Sequence, residues 1–167
     1  MVYMHHRAVR RLVLVLLIAV CSAAFAQGTG GDISLEPLFS PDPQALEYLA
    51  GGDVDAAEAF GQDLNGDACV GLIADVPDHV LTLEPDEDGA FDSFGYLRIF
   101  VESEADTTLV VVNEETGDYL CNDDTFGLNP QVEAEDWPFG AYSIYVGTFT
   151  SDEFPEYTIF FSELAAD

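Results

Sequence analysis

From Cys69 onward the apolar positions recur in short runs with the two-residue period of half-buried strands. Residues 80–83 form one short run, and 96–103 alternates Leu97, Ile99 and Val101 onto one face. The run 108–112 is nearly continuous in valine, as expected of a strand buried on both sides. Glu115-Thr116-Gly117-Asp118 is a hairpin signal leading into 119–121. Residues 131–134 make a weaker strand. Further on, 142–149 places Tyr142, Ile144 and Val146 on one face, and 157–161 does the same with Tyr157, Ile159 and Phe161. Short strands separated by turn signals at intervals of about 8–12 residues predict an all-β fold, an antiparallel, jelly-roll-like β-sandwich. No long helical period competes with this pattern.

The chain before residue 68 is organised differently. Residues 1–26 have the layout of a signal peptide: a positive start with Arg7, Arg10 and Arg11, an apolar run from Leu12 to Val20, and Ala24-Phe25-Ala26 as the small-x-small cleavage pattern, with cleavage expected after Ala26. The apolar run is short for a membrane span, which takes roughly 20 residues, so a Sec-exported product, secreted or periplasmic, is expected with no span after cleavage. Residues 27–67 are rich in Gly, Pro, Asp and Ala and weakly periodic, with a possible helical turn at 56–60. They are read as an extended N-terminal arm packed on the domain and pinned by Leu35, Leu38, Phe39, Leu46 and Leu49. The β-sandwich domain then covers 68–167.

Charge narrows the function classes. Three of the four basic residues fall in 1–26, so the exported chain sets Arg98 against all 32 carboxylates, a net charge of −31. A field of that sign excludes nucleic acid and anionic membrane surfaces as partners through basic contacts. It leaves solvation, divalent-cation binding and a basic partner. The hydrophobic share of 49% and aromatic share of 12% weigh against disorder. The two cysteines beyond the signal, Cys69 and Cys121, are the even count of an exported domain with one disulfide.

Four features are candidates for chemistry. The segment 121–130 sets Asn122, Asp123, Asp124 and Asn129 around a Gly-containing turn, the oxygen-rich kind of loop that Ca²⁺ uses; Asx-turns account equally for such residues. Asp63-Leu64-Asn65-Gly66-Asp67 has the opening oxygen spacing of a calcium loop but then places Ala68 and Ala74 where glycine and a bidentate Glu belong, so a polar turn is expected. Asp78-His79 supplies two partners of a hydrolytic triad, but no Ser lies in a GxSxG context. Finally, Tyr96 and Phe100 oppose Leu97 and Ile99, while Tyr145 and Phe149 oppose Tyr142 and Ile144. Exposed, these faces form a stacking platform for carbohydrate or peptide; under the arm, they are core.

The order of segments, from Phe39-Ser40-Pro41-Asp42-Pro43 through Cys69-Val70-Gly71, Asp106-Thr107-Thr108-Leu109-Val110-Val111, Cys121-Asn122-Asp123-Asp124 with Asn129-Pro130, to Gly140-Ala141-Tyr142, resembles bacterial pre-peptidase C-terminal (PPC-like) domains. It is most similar to a standalone exported group whose members are labelled peptidases by association. The resemblance implies a jelly-roll sandwich that accompanies secreted proteases, binds extracellular material or aids secretion, and in some relatives holds Ca²⁺. It maps metal positions onto Asp123, Asp124 and Asn129, with Asp106. This sequence departs from the modular pattern, in which such a domain is joined to a protease domain. The expectation is an exported, non-catalytic binding or structural module for an extracellular or envelope ligand, calcium-stabilised. The alternatives are a secreted hydrolase using His79 and an acidic solvating or basic-partner-binding protein.

Overall fold

A computed structural model describes residues 30–166; residues 1–26, expected to be a signal peptide, lie outside the described residues. The chain runs β1 (Ile33–Leu35), β2 (Gln44–Leu49), β3 (Val54–Asp55), α1 (Ala56–Ala59), β4 (Leu72–Ile73), β5 (His79–Leu83), β6 (Phe94–Ser103), β7 (Thr107–Asn113), β8 (Tyr119–Asn122), β9 (Gln131–Trp137), β10 (Gly140–Thr148) and β11 (Glu156–Ser162). Each run expected from the two-residue period is a strand. The helical turn is real as well: the Asp55 side chain accepts from the N–H groups of Ala57 and Glu58, a cap that satisfies two otherwise orphaned donors.

Two sheets face each other. The smaller has the order β2-β11-β6-β9; the larger is built around β10, which pairs with β5, β7 and β4 and so recruits β1, β8 and β3. Leu81, Leu109, Val111 and Ile144 from the larger sheet meet Leu97, Ile99, Ile159 and Phe161 from the smaller, all fully or almost fully buried. These are the inward positions that strand alternation assigns. One pair departs from the expected antiparallel plan: β1 runs parallel to β5.

A second cluster lies on the outer side of the larger sheet, where Ala56, Ile73 and the Cys69–Cys121 disulfide cover Val110. Coverage on both faces explains why β7 reads as almost unbroken valine. The stretch 27–67 therefore does more than lie over the sandwich. It contributes β1 and β3 to one sheet and β2 to the other, as edge strands. Gly52 shows how closely this stretch is fitted: a Cβ there would stand 2.1 Å from the Ile73 carbonyl oxygen.

Candidate functional site: the outer face of the four-stranded sheet

In β6 and β11 the residues opposite the core, Arg98, Phe100 and Glu102 with Glu156, Thr158 and Phe160, face away from the other sheet. The register pairs Phe160 with Phe100 directly, and their rings stack with centroids 4.9 Å apart and planes 12° apart. The Arg98 guanidinium sits over the Phe100 ring, 4.4 Å from its centroid, a cation–π contact that anchors the one Lys or Arg side chain among the described residues. Tyr96 lies on the same face. Its hydroxyl donates to Glu133 Oε2 at 2.7 Å, while Gln131 Nε2 donates to the same oxygen at 2.9 Å. Burial, and then this bond to a carboxylate, push the Tyr96 hydroxyl up to about 12.

Beside the stack the face opens into a groove of about 1440 Å³, floored by Phe100 and edged by Leu49, Pro155 and Phe126. Leu49 and Phe126 are 45% and 57% exposed, which makes the rim apolar as well as the floor. Glu47, Glu102, Glu104 and Glu156 also line it.

The four aromatics proposed as a platform are not one surface. Tyr96 and Phe100 share the face just described. Tyr145 is on the outside of the larger sheet, on the opposite side of the sandwich, packed against Phe60 with centroids 5.9 Å apart; it is covered, as the core alternative required. Phe149 falls one residue beyond β10, in an exposed turn, because that strand ends at Thr148. Phe160, Arg98 and Phe126 complete the site and were not singled out from sequence. The alternation that puts Tyr157, Ile159 and Phe161 inward already turns Phe160 outward, but only the cross-strand register sets it on Phe100.

His79 is placed where it cannot serve as a base for a substrate. The ring is fully buried. Its Nδ1 lies 2.9 Å from the Gly31 carbonyl oxygen, which can only accept, so Nδ1 carries the proton and Nε2 accepts from the Tyr157 hydroxyl at 2.6 Å. Burial lowers its basicity. Asp78, its neighbour in sequence, spends Oδ2 on the Val146 N–H at 2.7 Å, and burial raises its carboxyl to about 7. The pair holds β5 in place and is closed to solvent, so the hydrolase alternative loses its proposed base.

The acidic loop gives a mixed answer on calcium. Asn129 Oδ1 accepts from the Ser103 N–H at 3.0 Å, and Asn122 Oδ1 accepts from Thr125 Oγ1 and the Gln131 N–H, so both amides close the loop. Among the described residues no three Asp, Glu, His or Cys side chains are gathered around a point a metal could take. Yet Asp106 Oδ1 is buried with no hydrogen-bond partner, and its carboxyl is raised by burial and by the charges of Asp124 and Asp123. These residues form no preassembled cage. The Asp63 turn is structural, its carboxylate taking the N–H groups of Asn65, Asp67 and Cys121.

No family model matches the chain, and no curated protein sequence does. Among solved structures it is similar to the pre-peptidase C-terminal domain of a collagenase from Bacillus anthracis, at 13% identity and a TM-score of 0.44, over 78% of this chain and 94% of that one. That is the family its sequence motifs resemble.

Proposed function

We propose that this protein is an exported, non-catalytic β-sandwich module that binds an extracellular or envelope ligand on the outer face of its four-stranded sheet. The observation that carries the reading is an outward-facing groove floored by Phe100, beside its stack on Phe160, and rimmed by Leu49 and Phe126. Exposed apolar surface bordered by polar groups marks an interaction site. At about 1440 Å³ the groove exceeds the roughly 300–1000 Å³ of small-molecule clefts, which favours a segment of polymer as ligand. Export rests on the signal-like residues 1–26 and on the disulfide, which persists in oxidising compartments. The non-catalytic reading rests on the burial of His79.

Peptide and glycan arrays probed with residues 27–167, beside the same protein carrying Phe100→Ala and Phe160→Ala, test it. Phe100 and Phe160 point away from the core, and a far-UV spectrum with a urea midpoint checks that the double variant remains folded. The expected result is a ligand set held by the parent and weakened at least about tenfold in the variant, with an unchanged far-UV spectrum. No ligand on either array, or equal retention by both proteins, overturns the proposal. Calcium enters as a stabiliser of the 123–129 loop, with Asp106 drawing the cation toward Asp123 and Asp124.

A further inference from the structure

We infer that the occupant of this groove is an extended, cationic polypeptide segment from another protein, an inference that rests on the ligand face proposed above. The register sets Glu47 opposite Thr158 and Thr158 opposite Glu102, so two exposed carboxylates flank one threonine in a single cross-strand row. The adjoining row is Ala45, Phe160, Phe100 and Gln131, two residues along each strand and therefore about 6.6–6.8 Å away. Glu156, opposite Leu49, continues the acidic side. The groove thus pairs an aromatic floor with a carboxylate bank one side-chain repeat away.

Within the described chain one cation offsets that bank: Arg98, the one Lys or Arg among residues 30–166, lines the groove over the Phe100 ring and sets a single positive charge against Glu47, Glu102, Glu104 and Glu156. Carboxylates gathered on one sheet face repel, and the remaining countercharge has to come from outside. A small ion would meet the carboxylates and leave the aromatic floor and the Leu49 and Phe126 rim unused. A Lys or Arg side chain uses both, laying its apolar stem along the Leu49 and Phe126 rim beside Phe100 and its charged head among the glutamates. An extended segment repeats side chains on one face at the spacing of the rows. Acidic glycans and nucleic acids are repelled by the same surface.

The test uses residues 27–167 and three ten-residue peptides alternating Thr with Lys, Gln or Glu, followed by calorimetric titration in 150 mM NaCl. Because a chain this acidic attracts cations generally, two charge-matched variants are compared. One neutralises the groove (Glu47→Gln, Glu102→Gln, Glu156→Gln); the other neutralises the exposed loop at the far end of β6 (Glu87→Gln, Asp88→Asn, Asp92→Asn). The Lys peptide is expected to bind, the Glu peptide not. The groove variant and the Phe100→Ala/Phe160→Ala variant should each weaken Lys-peptide binding at least about tenfold, and the loop variant less than about twofold. Equal losses in the two charge-matched variants overturn the inference, because binding is then a matter of net charge. If array ligands depend on Phe100 and Phe160 while the Lys peptide ignores the groove glutamates, the cationic occupant falls and the ligand face stands. If no ligand depends on the two phenylalanines, both fall.

Discussion

Asp78 stands just before β5 with 5% of its surface exposed, its Oδ2 held by the Val146 N–H at 2.7 Å. One hydrogen bond does not replace the hydration a carboxylate loses on burial, and the group moves from its ordinary 3.8 to about 7. The folded state therefore binds the proton more tightly than the unfolded chain. The stability Asp78 contributes is fully present below pH 3.8 and is lost as the pH rises to 7. Across that window of about three pH units the linkage relation gives about 4 kcal/mol. Asp78→Asn keeps a carbonyl oxygen for the Val146 N–H and removes the charge at every pH. Its stability relative to the parent should thus be more favourable at pH 8 than at pH 4 by about 4 kcal/mol. Urea denaturation followed by far-UV circular dichroism at both values measures the difference. His79 and the acidic surface titrate in both proteins and cancel in the comparison. A relative stability that stays within about 1 kcal/mol between the two pH values, or that shifts the other way, refutes the assignment of a desolvated carboxylate here.

Other outcomes follow from the same geometry. Replacing Cys69 and Cys121 by Ser opens a cross-link spanning 52 residues, and the chain-entropy relation puts the loss at about 4 kcal/mol, to be read as a lower urea midpoint. His79, whose folded-state basicity is lowered from 6.5, contributes stability that is present above pH 6.5 and lost as the pH falls below it. His79→Gln should flatten that acid limb in a plot of unfolding free energy against pH, and an unchanged limb would count against the buried neutral ring. Millimolar Ca²⁺ should raise the melting temperature relative to EGTA, and Asp106→Asn should abolish the rise; calorimetry that finds no calcium dependence removes the loop as a cation site.

The strands from Cys69 onward were legible because the two-residue period is a local property: a sheet with one buried face writes its alternation directly into the chain. The same holds for the buried valine strand and the hairpin at Gly117. The cysteine pair was legible from its even count. In the 27–67 stretch the signal failed for a physical reason. Its strands are two to six residues long and lie at sheet edges, so glycine, proline and one-sided burial dilute the period. Their places are set by partners far along the chain, such as Leu81 for Ile33 and Phe160 for Ala45.

Charge was likewise readable from composition, because the acidic residues and the basic start occupy separate parts of the chain. What only the tertiary structure decided is which outward side chains meet. The sequence turned Tyr96, Phe100, Tyr145 and Phe149 away from their inward neighbours without saying that two sheets send them to opposite sides. Tyr145 went under Phe60 and Phe100 onto Phe160. Alternation tells a residue's face; cross-strand register, a property of residues some 60 positions apart, tells its neighbours, and the candidate site is made of neighbours.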